Sequence, residues 1–375
     1  MVDRDRLVDI FLKLTRLNSP SKHERQVADC LRPQLEALGY DVYEDDAGAN
    51  IGGDTGNLYA YKEGSSKTGA RVLLSAHIDT VQPTEGLEPI ITEDGIIRSG
   101  GSTILGADDK AGVSAVIEAL RVVEEHGVPY RSIQVIFDVA EEIGLLGAKQ
   151  IKKDAIRADF AFVLDTVKPV ASTVIAGPSH ANMRVKFIGK ASHAGIAPES
   201  GVNAITAAAK AISMMNSGRI DFETTANVGV IRGGFARNIV PDEVEVLAEA
   251  RSRDEDKLAA QLQHMTEAFE AGAAEVGAQV EIETEREYNR YRFSENDPIV
   301  RLCSAAAQAV GIEPQLIEAG GGSDANIFNE IGIPSVVLGV GYEGAHTHTE
   351  QIAIADLVKC AEFAVALVCK SAEME

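Results

Sequence analysis

Five short clusters of histidine and carboxylate residues each follow an apolar stretch or lie at a glycine-flanked turn. The clusters are His77/Asp79, Asp108/Asp109, Glu141/Glu142, Asp165 and His346/His348. Mixed nitrogen and oxygen donors suit zinc, manganese or cobalt better than calcium, which prefers oxygen alone. Strands that end at one edge of an open parallel sheet bring the residues that follow them into a common crevice. The pattern therefore predicts a metal site assembled from strand ends.

The first two clusters each allow a structural alternative to metal binding. His77 could be a ligand that Asp79 orients, or a surface histidine beside a helix-capping acid. Asp108 and Asp109 open an expected helix, so one of them could simply cap it and interact with the helix dipole. Two consecutive acids point in different directions, however, so if one caps the helix the other is free to project into the crevice and bridge two cations.

The later clusters follow apolar runs more closely. Glu141 and Glu142 come directly after a strand, where packing does not explain two adjacent glutamates. One of them can coordinate a metal while the other acts as a general base, and a solvated acidic loop is the alternative. Asp165 ends an apolar run as a single carboxylate, which by itself suits a turn. In the last cluster, either His346 or His348 could be a ligand.

The periodicity of apolar residues predicts an α/β protein with two domains. Apolar strands at 72–75, 133–139 and 160–164 alternate with helical stretches, which predicts a mostly parallel, doubly wound sheet. A later segment has the order β-α-β-β-α-β, typical of a ferredoxin-like unit, with strands at 183–188, 228–231 and 244–250 and helices at 203–215 and 257–274. A strand at 333–340 and a helix at 352–369 then return to the first sheet. We expect a discontinuous first domain at 1–177 and 292–375, and an inserted domain at 178–291.

Composition and charge exclude several classes of function. The chain has 375 residues, of which 45% are hydrophobic and 25% charged, so we expect a packed core. A net charge of −22 opposes binding to nucleic acid or to an anionic membrane. Four cysteines without C-x-x-C spacing, a start unlike a signal peptide and no apolar membrane span predict a cytoplasmic protein. Serine-hydrolase, P-loop and dinucleotide-binding motifs are missing from the sequence.

The order of the five clusters resembles that of the M20 family of dizinc metallopeptidases. Leu105-Gly-Ala-Asp-Asp-Lys-Ala-Gly112 and Ala140-Glu-Glu-Ile-Gly144 are most similar to peptidase T and its relatives. The resemblance spans nearly the whole chain. It implies a zinc-exopeptidase-like catalytic domain with two divalent metal ions, zinc with manganese or cobalt as alternatives. It also implies that the inserted domain is a lid through which the protein forms a homodimer.

The resemblance assigns metal ligands and catalytic groups motif by motif. The implied metal ligands are His77, Asp108, Glu142, Asp165 and His346, with Asp108 bridging the two ions. His346 is preferred to His348 because the family places this ligand four residues before a glutamate, here Glu350. The implied catalytic groups are Asp79 behind His77, Glu141 as the acid/base for a metal-bridging hydroxide, and His193 of the lid as oxyanion stabiliser.

The substrate-contacting residues are less strongly marked. The resemblance places Arg237, Asn238 and Arg251 in the lid, and the glycine-rich stretch around Gly322 and Ser323 could offer backbone N–H groups to a carboxylate. The peptidase T pattern has an arginine shortly before its Gly-Gly-Thr-Asp, and this chain has none there. Arg237, Arg251 or the glycine-rich stretch could bind the peptide carboxylate in its place.

The implied activity is that of a metal-dependent exopeptidase acting on short peptides, resembling tripeptide aminopeptidases. Two alternatives remain at this stage. One is a deacylase of N-acyl amino acids, because the same metal centre can attack any suitable amide. The other is a noncatalytic binding protein that keeps the fold.

Overall fold

The computed structural model describes residues 2–167 and 169–374, and the chain divides into two compact units. The first unit comprises Met1–Ile175, Arg292–Glu318 and Ser323–Glu375. The second unit comprises Ala176–Tyr291 together with Ala319–Gly322. The second unit therefore interrupts the first in sequence.

The strands and helices alternate along most of the chain. The strands are β1 Asp41–Glu44, β2 Leu58–Glu63, β3 Val72–His77, β4 Ile90–Ile91, β5 Ile96–Arg98, β6 Ser132–Asp138, β7 Phe160–Thr166, β8 Ser172–Gly177, β9 Ser179–Ile188, β10 Gly218–Arg219, β11 Thr224–Gly233, β12 Glu243–Ser252, β13 Gln279–Tyr288, β14 Tyr291–Arg292, β15 Gln315–Glu318, β16 Ser335–Gly339 and β17 Gln351–Ala353. The α-helices are α1 Arg4–Thr15, α2 Arg25–Ala37, α3 Ala47–Ile51, α4 Ala107–Glu125, α5 Ala204–Met214, α6 Glu255–Val276, α7 Pro298–Ala309, α8 Asp324–Glu330 and α9 Ile354–Ala372.

The main sheet of the first unit confirms the predicted mostly parallel α/β architecture. Strand β3 pairs in parallel with β6 and β7, and β16 pairs in parallel with β7. Strands β1 and β2 extend one side of the sheet, and β8 the other, in antiparallel orientation. Every residue of β3 and β6 is buried, so both faces of the sheet are covered. The carboxyl ends of the parallel strands lie at one edge, where the predicted clusters begin.

Helix α4 packs against β3 and β7 and has the predicted apolar periodicity. The residues at helical spacing are all buried, namely Val113, Val116, Ile117, Leu120 and Val123. The helix ends at Glu125 with His126 as its C-cap, and Gly127 follows with a φ of 61°. At its start, Asp108 and Asp109 have non-helical backbone angles, so the regular helix begins only after them.

Helix α9 begins later than the apolar run predicted. Ile352 was expected to be helical, but it lies in β17, where it pairs with Ile97 of β5. Pairing with β5 therefore keeps the chain extended until Ile354, the first residue of α9. All four cysteines are free and lie in helices, at Cys30, Cys303, Cys360 and Cys369. Within residues 2–167 and 169–374, no helix combines the length and apolar character needed to cross a bilayer.

The second unit has the predicted β-α-β-β-α-β order, with the two-residue strand β10 added. Its sheet has the order β10-β11-β12-β9-β13 and is antiparallel throughout. Helices α5 and α6 pack against each other and share one core with the sheet, which includes Val185, Phe187, Ala208, Leu258 and Phe269. This antiparallel α+β unit confirms the predicted inserted ferredoxin-like domain.

Candidate metal centre

His77 is the last residue of β3, and three carboxylates surround its ring. The Nε2 atom lies 3.1 Å from Asp108 Oδ1 and 3.7 Å from Asp165 Oδ1. The Nδ1 atom lies 3.3 Å from Asp79 Oδ1. The ring is 1% exposed, and although burial lowers its pKa, hydrogen bonds to Asp108 and Asp79 raise it well above its ordinary value. Asp79 thus positions His77 through Nδ1, and Nε2 faces the other two carboxylates, where a metal ion could bind.

The two consecutive acids at the start of α4 have different contacts. Asp109 Oδ1 accepts the backbone N–H of Gly112 at 3.2 Å, as a helix-capping residue does. Asp108 lies between two histidines, because its Oδ2 atom is 3.3 Å from His346 Nε2 while Oδ1 faces His77. Asp109 therefore has the contact expected of a capping residue, whereas Asp108 lies between two histidines, where a carboxylate could hold cations.

His346 brings the last cluster to the same place. Its Nε2 atom lies 3.0 Å from Glu142 Oε2 as well as 3.3 Å from Asp108 Oδ2. Its backbone has a φ of 63°, an uncommon conformation for a residue other than glycine. Both histidines are exposed, but the contacts to the two carboxylates belong to His346. The geometry favours His346 as the ligand.

Asp79 also holds the backbone of the two adjacent glutamates. Its Oδ1 accepts the N–H of Glu141 at 3.0 Å, and its Oδ2 accepts the N–H of Glu142 at 3.3 Å. The pKa of Glu141 is raised well above its ordinary value, first by burial and then by the charges of Asp165 and other nearby acids, although His77 opposes the shift. A carboxyl group with a raised pKa is suited to acid/base catalysis.

Three residues outside the predicted metal ligands and catalytic groups also contact these groups. The Tyr342 hydroxyl donates to Asp108 Oδ1 and Asp165 Oδ1, at 3.1 Å each. Glu350 accepts the N–H of Gly106 at 2.6 Å and of Asp108 at 2.9 Å. The Ser21 hydroxyl donates to Asp79 Oδ2 at 2.6 Å. The spacing from His346 to Glu350 was visible in the sequence, whereas nothing in the sequence marked Tyr342 or Ser21.

We call the seven predicted residues of the first unit the strand-end cluster: His77, Asp79, Asp108, Glu141, Glu142, Asp165 and His346. Possible ligand atoms of His77, Asp108 and Glu142 lie within 4.8 Å of one another, as do those of His77, Asp109 and Asp165. Glu142 Oε1 and Asp109 Oδ2 are buried without a hydrogen-bond partner among the described residues. So many acids around two histidines repel one another unless cations neutralise them, so the residues present fit divalent metal ions.

The electrostatics of His346 agree with this excess of negative charge. Hydrogen bonds to Asp108 and Glu142 raise its pKa to about 10, against the smaller opposing effect of burial. A metal ion competes for the same nitrogen, because a ligating imidazole must be neutral.

The predicted residues of the second unit have a different environment. His193, Arg237 and Asn238 are exposed, and we call these three the loop group. The Nδ1 atom of His193 accepts the N–H of Gly195 at 3.2 Å. Arg251 is partly buried and donates to Glu249 Oε2 at 2.9 Å.

The glycine-rich stretch differs from the prediction. A Cβ atom at Gly322 would lie 2.1 Å from Tyr288 Cζ, so this glycine is needed for close packing rather than for open flexibility. Ser323 forms a capping box at the start of α8, in which its N–H donates to Asn326 Oδ1 at 3.1 Å and its Oγ accepts from Ala325. The Ser323 N–H is therefore already used within the fold, and the predicted contact from it to a substrate carboxylate would require the cap to open.

Comparison with known proteins identifies the family. Residues 73–370 match the model of peptidase family M20/M25/M40. The chain belongs to this family. Its members are metallopeptidases with a dinuclear centre, and the strand-end cluster could bind metal. The M20 resemblance predicted from the sequence is confirmed, and the chain is a hydrolase of peptide bonds.

Several M20 relatives match over the whole chain. The aminopeptidase PepT from Bacillus cereus ATCC 10987 is 42% identical with a TM-score of 0.90, and 99% of each chain is covered. A tripeptidase from Staphylococcus aureus subsp. aureus Mu50 is 40% identical with a TM-score of 0.95, and 100% of each chain is covered. The uncharacterized protein YqjE of Bacillus subtilis (strain 168) is 43% identical over 373 residues, which is 100% of both chains.

Proposed function

We propose that this M20 peptidase is a metal-dependent aminopeptidase that removes the first residue of tripeptides. The observation that carries the proposal is the position of Asp108 between His77 and His346, beside a glutamate pair whose backbone Asp79 holds. The two solved relatives at 40% and 42% identity are named as a tripeptidase and as an aminopeptidase, which supports the substrate class.

We assign the ligands as the family resemblance implies. His77 and Asp165 would hold one ion, Glu142 and His346 would hold the other, and Asp108 would contribute to both. Zinc is the proposed metal, with manganese and cobalt as alternatives, because the donor set mixes imidazole and carboxylate. When bound, such ions polarise a peptide carbonyl and lower the pKa of water towards neutrality.

The protein's own groups then move the proton. Glu141 accepts a proton from the attacking water and delivers it to the nitrogen of the leaving amine, a role that its raised pKa suits. Asp79 keeps the His77 ring in one orientation through Nδ1 and fixes the backbone on which Glu141 lies. Tyr342 donates a hydrogen bond to both Asp108 and Asp165 and thereby orients these carboxylates.

The second unit supplies substrate contacts in this proposal. His193 donates a hydrogen bond to the oxyanion that forms from the carbonyl oxygen. Arg237, Asn238 and Arg251 bind the rest of the peptide, and the arginines replace the carboxylate-binding arginine missing before Gly322. Arginine suits this task because its guanidinium can bind a carboxylate through two parallel hydrogen bonds.

We further propose a homodimer formed through the second unit. Strand β10 pairs with β11 only at Ala226 and Thr225, so the outer edge of β11 from Asn227 to Gly233 has no strand partner among the described residues. A long unpaired edge is a surface on which a second copy can add a strand.

The free cysteines suit a reducing compartment, and the cytoplasm is the proposed location.

The first test compares substrates and metals in one experiment. The chain is stripped with a chelator and assayed on free tripeptides, N-terminally acetylated tripeptides, dipeptides and N-acyl amino acids, with zinc, manganese or cobalt added back. We expect hydrolysis of free tripeptides alone, release of the N-terminal residue by mass spectrometry, and loss of activity by at least about a hundredfold without metal.

Other outcomes would identify a different enzyme. Faster cleavage of N-acyl amino acids than of tripeptides would replace the aminopeptidase by a deacylase. Equal activity before and after chelation, with no metal found by elemental analysis, would contradict the metal mechanism. Light scattering of the purified chain tests the dimer separately.

A further inference from the structure

Two residues next to the strand-end cluster have left-handed backbone conformations, and one side chain binds both of them. Ala140 has a φ of 54° and Lys22 a φ of 77°. The N–H groups of both donate to the same atom, Glu24 Oε1, at 3.0 Å from Ala140 and 2.8 Å from Lys22. Glu24 and Ala140 are each fully or almost fully buried. One buried carboxyl oxygen therefore joins two strained positions that are far apart in sequence.

This backbone conformation is costly for both residues. In the left-handed region a Cβ atom lies too close to the following carbonyl oxygen, and such a conformation persists only where the surroundings enforce it. Ala140 is 0% exposed, so water does not replace the partner of its N–H. Without the Glu24 acceptor, the Ala140 N–H would be buried and unpaired, and the chain would relax towards a different conformation.

Both strained residues adjoin groups that contact Asp79. Ala140 directly precedes Glu141, whose N–H donates to Asp79 Oδ1. Lys22 directly follows Ser21, whose hydroxyl donates to Asp79 Oδ2 at 2.6 Å. Glu24 thus holds the backbone of two separate segments, and the residue next to each held position contacts Asp79.

Capping of a helix does not explain the burial of Glu24. The residue occupies the position before α2, but its side chain makes no capping hydrogen bond to that helix. It points inward instead, and Oε2 is buried without a hydrogen-bond partner among the described residues. Burial, and next the charge of Asp79, raise its pKa to about 7. The hydrogen bonds that Oε1 accepts from Ala140 and Lys22 best explain why this carboxyl group is kept in an unfavourable, buried environment.

We infer that Glu24 is a positioning residue that sets the backbone of the Ala140–Glu142 loop, and with it the placement of the proposed base Glu141 and the proposed ligand Glu142. The role rests on the proposed function of those two glutamates. It depends on an acceptor oxygen at the position of Oε1, and a negative charge is not required. Glutamine therefore replaces Glu24, whereas alanine and the shorter aspartate do not.

The test uses Glu24→Gln, Glu24→Asp and Glu24→Ala in the full chain. Cobalt(II) is titrated into each metal-free variant and followed by its visible absorption, and kcat and KM are measured on a tripeptide. For Glu24→Ala we expect a loss of about 10–100-fold in cobalt affinity and in kcat, as for other residues that orient metal-site groups, with KM little changed. Glu24→Gln should stay within about threefold of the parent, and Glu24→Asp should fall between the two.

Glu118 provides a matched control, because it is also a fully buried glutamate of the first unit. Its side chain accepts the N–H of Asp3 at 2.9 Å and pairs with Arg6 at 2.8 Å, not with a loop of the strand-end cluster. Glu118→Ala should lower the melting temperature and leave the cobalt affinity and kcat of the folded protein unchanged. A Glu24→Ala variant that behaves in the same way would overturn the inference.

If Glu24→Ala does not fold, the inference can be tested by comparing Glu24→Asp with the double variant Glu24→Asp/Ala140→Gly. Ala140→Gly removes the cost of the left-handed conformation, so it should recover several-fold of the activity lost in Glu24→Asp. A loss in Glu24→Gln as large as that in Glu24→Asp, or larger, would show that an acceptor oxygen at the position of Oε1 is not sufficient and would overturn the inference. If the parent chain binds cobalt but cleaves no tripeptide, the proposed function fails, while the ranking of cobalt affinities still decides the role of Glu24.

Discussion

The strand-end cluster and the loop group hold their side chains by different means. In the cluster, the side chains of His77 and Asp79 are 1% and 0% exposed. Buried carboxylates also accept hydrogen bonds from backbone N–H groups of the loops that carry the cluster. Asp79 does so for Glu141, and Glu350 does so for Asp108. The loop group, in contrast, is exposed at all three of its residues.

The difference follows from the charges that each set must bring together. Several carboxylates a few ångströms apart repel one another, so their backbone must be fixed before the metals can bind in one geometry. Residues that contact a variable peptide carry no such repulsion and can be ordered by the substrate itself. We therefore expect changes in the cluster to alter catalysis or metal affinity, and changes in the loop group to alter catalysis without altering metal affinity.

The largest effect should come from Glu141→Gln, which tests the cluster. Glutamine keeps the shape of the side chain but cannot accept the proton, so kcat should fall by about 10²–10⁴-fold. Cobalt affinity should stay within about threefold, because Glu141 is the proposed base and Glu142 the proposed ligand. Steady-state kinetics and cobalt titration measure the two effects. Near-normal turnover with metals bound would remove Glu141 from the mechanism.

His193→Ala should have a smaller effect and tests the loop group. Loss of one donor to the oxyanion costs about a hundredfold in kcat, with metal affinity unchanged. His264→Ala is the control, because this histidine of α6 lies in the same unit and accepts the N–H of Asn216 at 3.0 Å. It should leave kcat unchanged. If His193→Ala weakened cobalt binding, the division between the two sets would be wrong.

The secondary structure was predictable because the apolar pattern alone decides it for most elements. Helix α4 keeps its apolar residues on buried positions, and the strands of the second unit alternate between buried and more exposed residues, as in β12. The pattern failed where pairing between distant segments overrides it. Ile352 is the example, since pairing with Ile97 keeps it in a strand although its apolar neighbours continue into a helix.

Residues of the candidate site that belong to a motif could be predicted from the sequence. Residues that only hold the backbone of such a motif could not. The clusters that contain His77, Asp108, Glu142 and His346 could be listed from the sequence because they follow apolar strands, and the family resemblance selected the ligand within each pair. Glu24 lies before a helix and looks like an ordinary cap, and only the three-dimensional contacts show which N–H groups it accepts. Long-range hydrogen bonds of this kind leave no periodic trace in a sequence.

The smallest effect concerns Glu249, which supports Arg251 in the second unit. Its carboxylate lies 2.9 Å from His180 Nε2 and 2.9 Å from Arg251 Nη2. The adjacent His180 imidazole, followed by the hydrogen bond from Arg251, lowers the pKa of Glu249 to about 2 against the opposing effect of burial. Because the folded pKa lies below the unfolded value of about 4.3, the stabilisation is fully present above pH 4.3 and is lost as the pH falls towards 2.

Glu249→Gln should therefore lower the stability of the second unit at pH 7 by about 1 kcal/mol, a figure reduced for the screening of a side chain that is 32% exposed. By calorimetry, the melting temperature should fall by about 4 °C at pH 7, and the gap to the parent should narrow between pH 4.3 and 2. Glu243→Gln on the same strand is the control, because its side chain is 63% exposed and should change little. Cobalt affinity should not respond to Glu249→Gln. A gap that stays constant with pH would mean that the carboxylate contributes through shape alone, and a loss of cobalt affinity would tie the second unit to the metal centre.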